Sequence, residues 1–364
     1  MKYIAIACGG TGGHLTPGIA LAQELDKRGY GTTLCISSKS VDRRLCEHYN
    51  KFNFISMPGC AFRWQPIDFC KFIFKTLLAF IRGWNHLGNH PDAIVISFGG
   101  FSAVGLCLAA FIRRRPIFLH EANLLMGRAI RWLTPLAKKV YIPPALKELE
   151  LYRHRKKYIP MYYPVRNDFL PCSMNRARDL LGLPTYGRCL VVSGGSQGAR
   201  ALIEWTRAHE ILLITLGYHI ICLAGPAGTQ AEICHCHADG RIYHVRYKTF
   251  SDHMHLLYSV ADLIVCRAGA GTIAELIRCQ KPSVLVPYPA AIGDHQTLNA
   301  RAHAEAGMAV LLPQSRLSEL VSIIEALDDA TLKSMQETLV KFDRSIGDPA
   351  TALADSLLEN SPQG

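Results

Sequence analysis

The sequence predicts an α/β protein made of two doubly wound, parallel-sheet domains that face a ligand cleft. Three observations carry this expectation. Short apolar runs alternate with helix-like segments along all 364 residues, a length that suits two domains. The runs are continuous in Val, Ile and Leu rather than alternating, as in strands covered by helices on both faces. Finally, a strand runs into a glycine-rich turn twice, at residues 9–13 and 194–198, about half a chain length apart. In such folds ligands bind at the carboxyl ends of the strands.

Taken in order, the first half reads as strands over 2–8, 32–36, 52–57, 94–97, 117–120 and 140–142. After the first glycine turn, Pro17 is expected in the first turn of a helix, with Ile19, Leu21, Ala22 and Leu25 as its apolar stripe and Gly29 as its end. Residues 67–84 carry Phe69, Phe72, Ile73, Phe74, Leu77, Leu78, Phe80 and Ile81, interrupted by Lys71, Lys75 and Arg82. That mixture suits a helix lying in a membrane interface and drawn to anionic headgroups; a core helix with solvated lysines is the alternative. Residues 93–112 contain no charge and precede Arg113-Arg114-Arg115, which meets the length and flank rules for a membrane span. Gly99-Gly100 and the turn at Pro91-Asp92 instead favour a strand, a turn and a core-facing helix. Residues 158–171 are Pro-rich and read as the interdomain linker. The second half reads as strands over 189–193, 219–224, 263–266, 283–286 and 309–312, and the spacing of Ala350, Leu353, Ala354, Leu357 and Leu358 as a helix returning to the first domain.

Composition excludes several classes. Hydrophobic residues make up 49% and charged residues 19%, too apolar for a disordered chain. The formal charge of +11 fits an anionic surface; no basic recognition helix or RNA module accompanies it, so nucleic acid is not expected. Thirteen cysteines, an odd number scattered through apolar runs, read as core thiols in a reducing compartment. The first apolar stretch is too short for a secretion signal. Cys234-His235-Cys236-His237 looks metal-like, but adjacent ligands rarely close a tetrahedral site, so a surface loop is expected and no metal is assigned.

Neither glycine turn is a nucleotide fingerprint: a G-x-G-x-x-G started at Gly10 meets Leu15, and one started at Gly194 fails at Ser196. Residues 33–38 also lack the acid expected to hold an NAD ribose, which argues against a nicotinamide enzyme. A turn that feeds a helix N-terminus still offers amides and positive partial charge to a phosphate. A third cluster, Arg267-Ala268-Gly269-Ala270-Gly271-Thr272-Ile273-Ala274-Glu275, follows strand 263–266. Here Thr272 is expected to cap the next helix, and Glu275, on its first turn, either accepts two ribose hydroxyls or merely offsets the helix dipole.

Gly9-Gly10-Thr11-Gly12-Gly13-His14, His120-Glu121-Ala122-Asn123, Pro164-Val165-Arg166, Gly194-Gly195-Ser196-Gln197-Gly198-Ala199-Arg200, the 267–275 cluster, and His295-Gln296 with Asn299-Ala300 occur in this order. Together they resemble the MurG family, which moves N-acetylglucosamine from UDP to the muramoyl 4-hydroxyl of undecaprenyl-linked lipid I, making lipid II. The resemblance runs from Gly9 to about Ala300. It implies a GT-B fold, with residues 1–163 plus 345–364 as an acceptor-binding, membrane-associating domain and 164–344 as the UDP-N-acetylglucosamine domain. It implies Thr11, Gly12, Gly13 and Asn123 at the cleft on the acceptor side, Ser196, Ala270, Gly271 and Thr272 at the diphosphate with Arg166 nearby, and Ile273 and Ala274 as further substrate-binding residues. Glu275 would hold the ribose, the Ser251 backbone would read uracil, and Gln296 with Asn299 would hold the donor sugar. The resemblance makes His14 a general base, the alternative being that it merely donates a hydrogen bond to substrate or packs structurally; Glu121 is a base, an orienting partner or a buried acid bonded to backbone.

The chain departs from the family pattern at Ala122, Ala268, Ser251 and the pair Tyr162-Tyr163. No Asp-x-Asp occurs, so amides and Arg166 are expected to stabilise the leaving diphosphate, with no cofactor. The implied setting is the cytoplasmic face of a bacterial inner membrane, alongside other cell-wall synthesis proteins. Another UDP-sugar enzyme of the same architecture (an epimerase, or a lipid or natural-product glycosyltransferase) and a non-catalytic nucleotide-sugar sensor are the competing readings.

Overall fold

The computed structural model describes residues 2–10, 12–38, 46–148, 152–195, 198–225 and 228–361. It resolves into two compact units, residues 1–167 with 348–364, and residues 168–347.

The first unit contains seven parallel strands in the order β3-β2-β1-β4-β5-β6-β7. These are β1 (Tyr3–Ala7), β2 (Gly31–Ile36), β3 (Asn53–Ser56), β4 (Ala93–Ser97), β5 (Ile117–His120), β6 (Lys139–Ile142) and β7 (Tyr158–Pro160). Its helices are α1 (Gly12–Lys27), α2 (Pro66–Gly88), α3 (Ala103–Ile112) and α4 (Arg128–Leu133). Strand β4 is buried at all five positions, the double-sided coverage expected of continuous apolar runs. One core layer packs α3 and α4 against the sheet through Leu106, Ala109, Ile130 and Leu133. The opposite layer packs Ile19, Leu21 and Leu25 of α1 against Ile4, Ile6 and Ile94.

Residues 93–112 form β4, a glycine turn and α3, and among the described residues no helix is long and apolar enough to cross a membrane. The expected linker starts instead as a strand: Tyr158–Pro160 pairs with β6 at the sheet edge, where a proline's missing N–H is tolerated. Gln23 then accepts the Asn167 amide at 2.9 Å, which keeps the chain on the first unit as far as that residue.

The second unit orders its strands β10-β11-β9-β8-β12-β13-β14. They are β8 (Arg188–Ser193), β9 (Tyr218–Leu223), β10 (Ala231–Cys236), β11 (Ile242–Lys248), β12 (Leu263–Cys266), β13 (Ser283–Leu285) and β14 (Ala309–Leu311). The helices are α5 (Met174–Leu181), α6 (Arg200–Thr215), α7 (Met254–Val260), α8 (Ala270–Arg278), α9 (His295–Glu305), α10 (Leu320–Ala326) and α11 (Asp329–Ile346). All neighbours are parallel except β10 and β11. The stretch expected as a surface loop at 234–237 is therefore largely strand. It was illegible because β10 is exposed along its length and β11 alternates buried with less buried residues, so neither is a continuous apolar run.

The last helix, α12 (Pro349–Glu359), belongs to the first unit. Leu353, Ala354 and Leu357 are buried in the α1 layer, and Arg28, just past the end of α1, donates to Asp355 at 2.6 Å.

Candidate active site

Each sheet reverses its strand order at one place, between β1 and β4 in the first unit and between β8 and β12 in the second. Such switch points open a crevice at the strand ends. Of the described residues singled out from the sequence, Gly12, Gly13 and His14 follow β1 and residues 270–275 follow β12 at these places. Glu121 and Asn123 follow β5, Ser251 follows β11, Gln296 and Asn299 follow β13, and Arg166 lies beyond β7.

In the first unit, β1 runs through Gly9-Gly10 into α1, which begins at Gly12; Gly12, Gly13 and His14 form its first turn. Thr11 lies outside the described residues. Gly9 is sterically required, since a Cβ there would lie 2.1 Å from the Ser37 amide nitrogen. The β4 loop packs alongside: Ser102 Oγ donates to Gly9 O at 3.2 Å, and a Cβ on Gly99 would sit 3.2 Å from His14 Nε2. The imidazole thus lies against a backbone bared of side chains at Gly99 and Gly100, and is half-buried.

Because α1 starts at Gly12, Pro17 falls in the second turn rather than the first, and it cannot donate to the Gly13 carbonyl. The Tyr163 hydroxyl takes that place, donating to Gly13 O at 3.0 Å and lying 2.6 Å from the Thr16 hydroxyl. The departure at Tyr163 therefore braces the turn that carries His14. The only sequence signal for this role was the departure itself.

Strand β5 delivers His120 and Glu121. His120 is buried beside the Phe98 and Tyr163 rings, and burial pushes its pKa down to about 4, so it is neutral at pH 7. Glu121 is also buried. Its Oε1 accepts from the amides of Ala122 and Asn123, both at 2.9 Å, and from Asn123 Nδ2 at 3.2 Å; its Oε2 accepts from the Gly127 amide at 2.7 Å. Burial raises the Glu121 pKa above the usual carboxylate range, and these four donors oppose that rise. Asn123 thus stands beside Glu121 as a member of the same loop. Arg166 lies in the first unit, with Nη1 donating to the Tyr49 hydroxyl at 2.9 Å.

In the second unit, the loop after β8 holds Gly194, whose Cβ would fall 2.1 Å from the Ala199 nitrogen, and Gly198 with φ +77. Ser196 lies outside the described residues. After β12, Gly269 is the extended N-cap of α8 with no side-chain cap, so Thr272 is a first-turn residue and not the cap expected. The first helical bond runs from the Ile273 amide to Gly269 O at 3.0 Å. The amides of Ala270, Gly271 and Thr272 therefore precede the ladder, whereas Ile273 and Ala274 lie within it. Since the helix begins at Ala270, Glu275 falls in its second turn and not its first, and it is half-buried.

The loop after β13 is built around groups the sequence only partly indicated. Arg267, buried, donates through Nη1 to the Val286 and Pro287 carbonyls at 3.1 and 3.0 Å, and through Nη2 to Gln314 Oε1 at 2.6 Å. A charged residue ending an apolar strand was its signal. Gln296 Oε1 accepts the Tyr288 amide at 2.9 Å, and buried Asn299 donates to the Ala268 carbonyl at 3.3 Å. Gln296 thus closes its own β13–α9 loop, and Asn299 ties α9 to the neighbouring β12 loop. Ser251 follows β11, and its Oγ accepts the His253 amide at 3.3 Å.

Residues 4–142 match the glycosyltransferase family 28 N-terminal domain, and residues 189–352 match the glycosyltransferase family 28 C-terminal domain. The UDP-N-acetylglucosamine–N-acetylmuramyl-(pentapeptide) pyrophosphoryl-undecaprenol N-acetylglucosamine transferase of Opitutus terrae is 39% identical over 353 residues, 95% of this chain and 92% of the relative. The protein of the same name from Halothermothrix orenii is 32% identical over 372 residues, covering 98% of each. Among solved structures, Acinetobacter baumannii MurG superposes with a TM-score of 0.68 at 24% identity, covering 98% of this chain and 99% of that one. The glycosyltransferase of kitacinnamycin superposes at 0.71 with 15% identity and 99% coverage of both. The fold is therefore GT-B.

Proposed function

The chain belongs to glycosyltransferase family 28, and from that premise we infer that it makes lipid II. It transfers N-acetylglucosamine from UDP-N-acetylglucosamine to the muramoyl sugar of undecaprenyl-diphosphate-linked lipid I. The observation that carries this reading is 39% identity over 95% of the chain to a transferase of that name, joined to two switch-point loops of the right chemistry.

The acceptor 4-hydroxyl attacks the anomeric carbon of the donor sugar from the face opposite UDP. The new C–O bond forms as the bond to the diphosphate breaks, so the configuration inverts. His14 takes the hydroxyl proton, its imidazole placed by close packing against the Gly99 and Gly100 backbone. Negative charge grows on the departing UDP, where the Ala270, Gly271 and Thr272 amides and the α8 dipole stabilise it. Glu275 accepts from the ribose, the Ser251 backbone reads uracil, and Gln296 and Asn299 hold the sugar from loops they also brace. Gly12, Gly13 and Asn123 serve the acceptor; Thr11 for the acceptor and Ser196 for the diphosphate are assigned by motif alone. Glu121 acts as a positioning residue, because both its oxygens are spent on its own loop. Arg166 is assigned to the linker it fastens to Tyr49.

Purified chain given UDP-N-acetylglucosamine and a lipid I analogue should release UDP and form the disaccharide product, at a rate unchanged by EDTA. Nucleotide binding without product would identify a sensor; turnover only with a different acceptor would identify another GT-B enzyme.

The acceptor's lipid anchor makes a membrane surface the expected workplace. On α2, Phe72, Ala79, Gly83 and Leu87 are buried, while Ile67, Ile73, Phe74, Leu77 and Ile81 are exposed among Lys71, Lys75 and Arg82. Trp64, 83% exposed, and Phe111, Ile112 and Trp132 extend this apolar face. An apolar hollow of about 250 Å³ lies between Phe80, Ile81, Trp84 and Ile112. Burying such a face in headgroups removes it from water, and the cations add attraction to anionic lipid. The chain should float with anionic vesicles at low salt, and Phe74→Ser with Leu77→Ser should leave it in the dense fraction. Wild-type protein that never floats would end the membrane assignment.

A further inference from the structure

At the edge of the second sheet, on the side opposite β14, strands β10 and β11 form an antiparallel ribbon in which Cys234 faces His244 and Glu232 faces Arg246. Residues two apart on a strand share a face, and directly opposed residues share it too. Glu232, Cys234 and His244 therefore converge although twelve positions of chain separate the outer two. Cys234 Sγ lies 3.5 Å from His244 Nδ1, and His244 Nδ1 lies 3.1 Å from Glu232 Oε1. One ligand atom from each of the three lies within 4.8 Å of the other two.

We propose that this ribbon holds a zinc-class divalent ion through Cys234, His244 and Glu232. Bonds of about 2.3 Å to sulfur and about 2.0–2.1 Å to nitrogen or oxygen, at tetrahedral angles, place neighbouring ligand atoms roughly 3.3–3.6 Å apart. The two spacings in the ribbon fall close to that range before any ion draws them together. Thiolate, imidazole and carboxylate together select zinc, or cobalt as its substitute, over the hard cations magnesium and calcium. Arg246 Nε donates at 2.6 Å to the same Glu232 Oε1, which fixes the position of that oxygen. The His244 amide donates to Nδ1 of His219, which burial keeps neutral by pushing its pKa down to about 4. Cys234 and Glu232 are exposed and His244 is half-buried, so an ion reaches the site from solvent and keeps a water in its fourth position. Bound there, it staples β10, the exposed edge strand, to the sheet. The ion is structural: His244 stands near the start of β11, at the end away from Ser251, and the ribbon lies three strands from β12, whose loop carries the proposed diphosphate amides. This agrees with the EDTA-insensitive turnover expected above.

The test is titration of the full chain, freed of metal, with Co²⁺. One equivalent should produce near-ultraviolet thiolate-to-cobalt absorption with the strong visible bands of tetrahedral cobalt, and Zn²⁺ should bleach both. Cys234→Ser should abolish the ultraviolet band, and His244→Ala should weaken binding at least ~10-fold. Both variants should melt like the metal-free wild type and lose the rise in Tm that Zn²⁺ gives the wild type. The proposal is overturned if the wild type shows no charge-transfer band, or if Cys234→Ser shows the same band as wild type, which would place the ion on other thiols such as Cys70 or Cys236.

Discussion

Replacing His14 with alanine lowers kcat at least ~100-fold while UDP affinity stays within about twofold, because general-base catalysis is worth roughly 10²–10⁴. The separation follows from where the groups sit. His14 occupies the first turn of α1 in the first unit, and the proposed nucleotide contacts are amides of α8 in the second. The ring is only half-buried, so its removal should leave Tm nearly unchanged. The pH profile provides an independent check. A base works only when deprotonated, so wild-type kcat/KM falls on the acid side, and His14→Ala should lose that limb. A variant with near-normal turnover, or one that fails to bind UDP, would remove His14 from the chemistry.

Glu121→Ala should reduce activity too, but through stability. The substitution strips the backbone amides of Ala122, Asn123 and Gly127 of their acceptor. Gly127 is exposed, so water replaces the carboxylate there; the half-buried Ala122 and Asn123 amides each cost about 1–3 kcal/mol when left unmet, and partial relaxation of the loop leaves a net loss of about 3 kcal/mol. For a unit of this size that corresponds to a melting shift of roughly 6–12 °C. Glu121→Gln should be only partly tolerated, since its amide group turns an N–H toward a donor that needs an oxygen. The decisive comparison is between Tm and kcat. Should Glu121→Gln melt like wild type yet lose turnover together with the acid limb of the pH profile, Glu121 would be the base and His14 would not.

Much of the fold was legible because buried parallel strands write themselves as uninterrupted apolar runs. All eleven strands read that way exist, with ends displaced by a residue or so. The three that were missed share a cause. Strand β7 is three residues long and ends in Pro160, β10 is exposed throughout, and β11 alternates, so none has apolar faces on both sides. The site was legible at the level of loops, since glycine where a Cβ would collide with backbone leaves a mark in any chain. It was not legible at the level of side-chain partners. Gln296 and Asn299 are glycosyl-contact candidates by motif, yet Gln296 also closes its own loop and Asn299 holds the β12 loop, which only the register of β12 on β13 brings within reach.

The amino-acid sequence alone determined the fold class, the two glycine turns and the family, because those depend on local apolar pattern, on backbone sterics and on the order of motifs. Tertiary structure alone decided the rest, which depends on pairs distant in the chain. It set Tyr163 over the carbonyl that Pro17 cannot reach, enclosed Glu121 in its own loop's amides, and brought His244 across from Cys234. A hydrogen bond or an ion ligand needs its partner within a few ångströms, and separation along the chain says nothing about that distance until the sheets have formed.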